Sequence, residues 1–118
     1  MVNFRRQYIQ VNSDRRKSTR IEFHFPVVIL GIDDAAQILD FSMDGFYIET
    51  KFDGEIVLGQ NINLALRLPM ERDSLRIKAN VVYKDNKGIG VRFIDVTPLA
   101  YEKLERCFNV FNATLPID

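Results

Sequence analysis

Apolar and polar positions alternate with a period of two along several short stretches, which is typical of β-strands with one buried face. Glycine, asparagine and aspartate separate these stretches. The predicted strands are residues 21–29, 36–41, 46–50, 62–68, 75–83 and 89–93. Pro26 lies within the first and places it at a sheet edge or at a bulge, because proline has no N–H to donate. The pattern predicts five to seven antiparallel strands.

The end of the chain changes to a helical period. Thr97 and Pro98 have the residue types of an N-cap and a first helical position. One face of the following segment is apolar and contains Leu104, Cys107, Phe108 and Phe111. We therefore expect an all-β domain with one C-terminal helix. Strands so closely spaced favour a small closed or nearly closed barrel, with the helix over one end or an open side.

Length and composition agree with one ordinary globular domain. The 118 residues suffice for one hydrophobic core. The lone Cys107 excludes an internal disulfide and a multi-cysteine metal site, and its apolar segment predicts a buried thiol. The single histidine, His24, is expected at the surface rather than on a metal. No apolar run approaches the length of a membrane span, and the N-terminus has no signal-peptide core, so we expect a cytoplasmic protein.

Charge is distributed unevenly although the net charge is zero. Residues 1–20 contain six basic residues and one acidic residue, so this segment carries +5 and the remainder about −5. Arg15, Arg16 and Arg20 directly precede the first strand. Arginine forks bind phosphate or the O6/N7 edge of guanine with two parallel bonds, and their faces stack on bases. Taken alone, the run is more typical of a solvated basic tail.

A second motif, Asp40-Phe41-Ser42-Met43-Asp44-Gly45, lies between two predicted strands. In an extended segment Asp40 and Ser42 point the same way. A carboxylate accepts two hydrogen bonds from the N1–H and N2–H groups of guanine, and a hydroxyl donates or accepts. Gly45 is expected to supply a positive φ and a close approach of ligand to backbone. Taken alone, the motif is an ordinary turn between strands.

In combination, the two motifs resemble those of the PilZ domain family: Arg16 and Arg20 match its arginine motif, and Asp40, Ser42 and Gly45 match its Asp/Asn-x-Ser-x-x-Gly motif. The resemblance covers roughly residues 14–112 and continues through Gly59-Gln60, Ala79–Val82 and Gly90–Phe93. It implies a six-stranded antiparallel β-barrel with a C-terminal helix. The corresponding division is a basic tail at 1–13, the domain at 14–113 and a short tail at 114–118.

The resemblance also implies a ligand, cyclic di-GMP. In such domains a mobile arginine arm closes over the dinucleotide, and the Asp and Ser motif binds a guanine edge. Arg15 is an additional arginine directly before the motif, and related domains with arginine there hold two intercalated ligand molecules. We therefore expect ligand contacts from Arg15, Arg16, Arg20, Asp40, Ser42 and Gly45, with no catalytic residue, metal or other cofactor.

The sequence leaves three functions as alternatives. The first is a non-enzymatic cyclic di-GMP receptor that acts on a protein partner, with motility, pili, exopolysaccharide and biofilm control as outputs known at family level. The second is a protein-interaction adaptor with an unused nucleotide site, which the intact motifs disfavour. The third is an enzyme such as a phosphodiesterase, for which the sequence offers no metal ligands or plausible base. DNA binding is not expected, because the basic charge is confined to one short segment.

Overall fold

A computed structural model describes residues 19–32, 35–51 and 56–114, with side chains up to residue 112. This part of the chain contains six strands followed by one helix. They are β1 (Ile21–Ile29), β2 (Ala36–Ser42), β3 (Gly45–Thr50), β4 (Asn61–Leu66), β5 (Leu75–Lys84), β6 (Gly88–Ile94) and α1 (Pro98–Thr114).

The strands form a closed antiparallel barrel in the order β1-β2-β3-β6-β5-β4. Val28 pairs with Ala65 and Ile29 with Leu64, and these two pairs close the barrel between β1 and β4. Pro26 pairs with Gln37 of β2, two residues before the β1–β4 register begins. The predicted six-stranded barrel with a C-terminal helix is thus confirmed.

One strand is shorter than the alternation predicts. The stretch expected to reach Leu68 ends as a strand at Leu66, although Leu68 remains buried. The N–H of Glu71 donates to the Leu68 carbonyl at 3.1 Å, so the chain already turns there. The following proline also limits the conformations of Leu68. The alternation of apolar residues indicates which side chains are buried. Here the buried positions continue to Leu68, beyond the last residue of the strand.

Inward-facing side chains of all six strands fill the barrel, and phenylalanines join it to the helix. Phe41 is fully buried, and its ring lies 5.4 Å from that of Phe108 on α1. The Phe23 and Phe111 rings are 5.1 Å apart in an edge-to-face arrangement. Such pairs add about 0.5–1.5 kcal/mol beyond the burial of their area. The helix is therefore fixed over the barrel next to the start of β1 and the end of β2.

The helix begins as predicted. The Thr97 hydroxyl accepts a hydrogen bond from the Ala100 N–H at 3.1 Å, and Pro98 is the first helical residue. Glu71, in the β4–β5 connection, contacts Lys103 at 3.7 Å and Arg106 at 2.9 Å. These ion pairs attach the helix to the β4–β5 connection.

Candidate functional site

An irregularity in β2 directs Asp40 outwards. Ile38 pairs with Ile48 of β3 and Asp40 pairs with Tyr47, so Leu39 is an extra residue on the β2 side. Without this bulge, period two would place Asp40 on the same inward face as the buried Ile38. The bulge instead returns Phe41 to the core and leaves Asp40 partly exposed. Bulges often re-aim a side chain in this way beside functional sites.

Ser42 shapes the turn that follows. Its side chain is only 1% exposed, and its hydroxyl oxygen accepts from the backbone N–H groups of Asp44 at 3.1 Å and Gly45 at 3.3 Å. The hydroxyl also lies 3.5 Å from the Gly45 carbonyl oxygen, to which it donates. These bonds fix the β2–β3 connection directly beside Asp40.

Arg20 joins the two motifs. Its Nε lies 3.2 Å from Asp40 Oδ1, and its Nη1 donates to the Ser42 hydroxyl at 3.0 Å. One planar guanidinium therefore spans both polar side chains. Asp40 and Ser42 face a common partner, as their i, i+2 spacing predicts. Because Phe41 between them is locked in the aromatic core, the two side chains start from a rigid backbone.

The positive φ expected for Gly45 is wrong. Its φ is not positive; among the described glycines, positive φ occurs at Gly31 and Gly59. A Cβ at Gly45 would lie 1.8 Å from the Val91 carbonyl oxygen of β6, which is far inside van der Waals contact. The position needs glycine because two strands approach closely.

Arg15 and Arg16 lie outside the described residues. Of the predicted ligand-contacting residues, the structure thus brings together Arg20, Asp40, Ser42 and Gly45, at the start of β1 and the β2–β3 turn.

The sequence interpretation missed a tyrosine–aspartate cluster beside Asp40. The Tyr47 hydroxyl donates to Asp85 Oδ1 at 2.8 Å, and the same oxygen accepts from the N–H groups of Lys87 and Gly88, each at 2.9 Å. These bonds, led by the Lys87 N–H, lower the pKa of Asp85 to about 2. The alternation of β3 and the Asp-x-x-Gly turn were the available signals.

The same cluster keeps its tyrosines protonated. Burial, and then the bond to Asp85, raise the pKa of Tyr47 well above its ordinary value. Asp40 adds a smaller electrostatic contribution of the same sign to the pKa of Tyr47, as expected for its partner across the strand pair. The pKa of Tyr83 is raised mainly by a hydrogen bond with Asp85. Tyr47 and Tyr83 are therefore neutral hydrogen-bond donors and neutral aromatic surfaces at physiological pH.

Among the described residues, the remaining reactive side chains lie apart from one another. His24 is exposed and lies 3.3 Å from Glu22, as expected of a surface histidine. Within residues 19–32, 35–51 and 56–112 there is no cluster of three metal-ligating side chains. Cys107 is buried, and burial raises its pKa to about 11. No helix in the described part of the chain has the length and apolarity needed to cross a membrane.

Comparison with known proteins identifies the family of this chain. Residues 14–109 match the PilZ domain family. The inhibitor of motility from Bacillus subtilis (MotI/DgrA) has a similar structure, with a TM-score of 0.71 and 16% identity over 86% of this chain and 53% of that one. The PilZ domain of CeSA from a cellulose-synthesizing bacterium gives a TM-score of 0.63 and 19% identity over 80% and 99% of the two chains. No curated protein sequence matches significantly.

The chain belongs to the PilZ domain family, a family of cyclic di-GMP receptors, because the match covers most of its length. PilZ domains are binding and adaptor domains rather than enzymes. This chain spans about half the length of the Bacillus subtilis motility inhibitor. The two structures share its fold at low sequence identity.

Proposed function

We propose that this PilZ domain is a cyclic di-GMP receptor whose guanine-binding wall is Asp40 and the Ser42 turn. The observation that carries the proposal is the bridge from Arg20 to both Asp40 and Ser42. It joins the two family motifs in one place on the barrel surface.

Guanine fits the chemistry of this wall. Its N1–H and N2–H groups are adjacent donors, and a carboxylate offers about four lone-pair positions on two oxygens. Arg20 Nε lies 3.2 Å from Asp40 Oδ1 and orients the carboxylate. The bulge and the buried Phe41 hold the carboxylate in place before ligand arrives. Little conformational entropy is then lost on binding.

The phosphates are assigned to the arginine segment. Arg16 is proposed to bind a phosphate or the O6/N7 edge of guanine. Arg15 is proposed to hold a second, intercalated ligand molecule. The resulting switch would order residues 10–20 against the barrel through charge-assisted bonds and create a surface for a protein partner. The N-terminal charge of +5 supports this assignment, since the ligand carries two negative phosphates.

The output is proposed to pass through a separate protein or complex. The printed name of one structural neighbour, an inhibitor of motility, makes motility a reasonable first process to test. We propose a cytoplasmic setting for this receptor, as generally found for the family.

Isothermal titration with cyclic di-GMP tests the proposal. We expect saturable heat at ligand concentrations up to about 50 μM. Asp40→Ala and Arg16→Ala should each weaken binding by about 1–3 kcal/mol, the range for a lost bidentate base contact. Glu105→Ala, which removes an exposed carboxylate from α1, should bind like the unaltered protein. No heat from the unaltered protein would instead favour the adaptor with an unused nucleotide site.

The number of ligands is a separate measurement. Arg15→Ala should lower the titration stoichiometry from two molecules toward one. An unchanged ratio would refute the intercalated pair while leaving the receptor proposal intact. Parallel titrations with GMP and GTP would show whether recognition requires both halves of the cyclic dinucleotide.

A further inference from the structure

A row of outward-facing positions crosses the barrel wall from Asp40. Asp40 of β2 pairs with Tyr47 of β3, Tyr47 pairs with Gly90 of β6, and Gly90 pairs with Tyr83 of β5. Directly paired residues on one sheet face stand about 4.5–5.5 Å apart at their Cβ atoms. The aromatic ring nearest to Asp40 along this row is therefore that of Tyr47.

The Tyr47 ring is held in one orientation. Its hydroxyl donates to Asp85 Oδ1, and the Lys87 and Gly88 N–H groups hold that oxygen in turn. A side chain fixed at both its Cα and its hydroxyl loses little further freedom when a ligand packs against it. Tyr47 is thus a preorganised surface.

Gly90 leaves the neighbouring position without a side chain. The Tyr47 and Tyr83 rings flank it with centroids 6.4 Å apart and planes inclined by 52°. A Cβ at Gly90 would lie 3.1 Å from the Tyr83 Cβ and 3.6 Å from its Cδ2, so the Tyr83 side chain covers this position. Tyr83 itself is 52% exposed. The two rings continue the proposed guanine-binding wall as an aromatic surface.

We propose that Tyr47 stacks on the purine base whose edge Asp40 binds, and so sets both affinity and preference for a purine. The inference rests on the proposed cyclic di-GMP site. Arg20 lies on the β1 side of Asp40, and Tyr47 lies on its β3 side. A base that bonds to Asp40 through its Watson–Crick edge extends away from the carboxylate. When the rings of this base are directed toward β3, they lie over the Tyr47 ring. Stacking uses the π-face and leaves the edge for Asp40.

Variants that keep or remove the ring test this role. Tyr47→Leu should raise the dissociation constant for cyclic di-GMP by about tenfold or more, the effect of losing one base–aromatic stack. Tyr47→Phe keeps the ring and loses the bond to Asp85, so binding should weaken by about threefold or less. Tyr101→Leu, at an exposed position on α1, is the matched control and should bind normally.

A second measurement uses the unaltered protein and does not depend on a variant's stability. The chain has four tyrosines and no tryptophan, so tyrosine-selective labelling gives few ring signals in an NMR spectrum. The signal absent from Tyr47→Phe identifies Tyr47. Its ring protons should shift upfield on saturation with cyclic di-GMP, because a stacked purine shields them, while those of Tyr101 should not move.

The outcomes separate this inference from the proposed function. Normal binding by Tyr47→Leu together with weak binding by Asp40→Ala overturns the stacking role and leaves the receptor intact. Equal losses in Tyr47→Phe and Tyr47→Leu, without an upfield shift in the unaltered protein, also overturn it. If the unaltered protein does not bind cyclic di-GMP, both proposals fail.

Discussion

The Arg20 guanidinium is bonded to the Asp40 carboxylate through Nε, at 3.2 Å, while its Nη1 donates to the Ser42 hydroxyl. Both partners are only partly exposed, so the pair is screened less than one in open water. Arg20, directly before β1, thereby positions the residue proposed to recognise guanine. Two motifs that are separate in sequence are thereby joined in one hydrogen-bonded unit.

Replacing Arg20 by lysine tests that unit. Lysine keeps the charge but has a single compact ammonium in place of a fork that spans two acceptors. Arg20→Lys should therefore weaken cyclic di-GMP binding about tenfold, measured by isothermal titration. Lys78→Arg, at an exposed position on β5, is the control for basic-residue exchange. Affinity unchanged in Arg20→Lys would show that charge alone suffices.

Gly45→Ala should destabilise the barrel. The added Cβ would meet the Val91 carbonyl oxygen, a backbone atom that cannot rotate away. We expect urea unfolding to show a loss of about 3 kcal/mol or more, at the upper end for overpacking. Gly31→Ala is the comparison: it has open space but a φ of +91°, and should lose only about 1–2 kcal/mol. A smaller loss at Gly45 than at Gly31 would contradict the close-packing explanation.

The sequence predicts the elements correctly where the period of the apolar residues matches the pattern of buried side chains in the structure. The alternation located all six strands, and Thr97-Pro98 located the start of the helix. The bulge at Leu39 could not be predicted, because one extra residue in β2 is evident only once its register with β3 is known. Gly45 shows the same limit, since its neighbour Val91 is on a strand far along the chain.

Only part of the geometry of the candidate site follows from local sequence, for a similar reason. Asp40 and Ser42 follow from local spacing, and their shared contact with Arg20 agrees with it. The bond between Tyr47 and Asp85 joins residues 38 positions apart, and no local pattern connects them. The pairing of β3 with β6 creates that contact, because it brings the β5–β6 turn with Asp85 next to Tyr47.

Asp85 should make stability depend on pH at the acidic end. Its pKa is about 2 in the folded chain against 3.8 in the reference state, so the folded state binds fewer protons between these values. This stabilisation is present above about pH 4 and is lost as the pH falls toward 2. Asp85→Asn keeps an acceptor without the titration. The difference in unfolding free energy between the two proteins should therefore shrink over that interval, and a constant difference would contradict it.

Cys107 should be unreactive in the folded protein. Burial, and to a smaller extent the charge of Glu71, raise its pKa to about 11, and only the thiolate is nucleophilic. At pH 8 a disulfide thiol reagent should modify the native chain slowly and the urea-unfolded chain quickly and stoichiometrically. Since this is the only cysteine, the count is unambiguous. Equal rates in the two states would show that the thiol is accessible.

The central claim is that Asp40 recognises a guanine edge, and a comparison of two ligands tests it most directly. Cyclic di-AMP has the same phosphates and ring shape, but adenine has no N1–H and no N2 amino group for Asp40. Isothermal titration should show cyclic di-GMP binding at least about a hundredfold more tightly, since a site built for a hydrogen-bonded partner strongly rejects an analogue that lacks it. Equal affinity for the two cyclic dinucleotides would contradict the account.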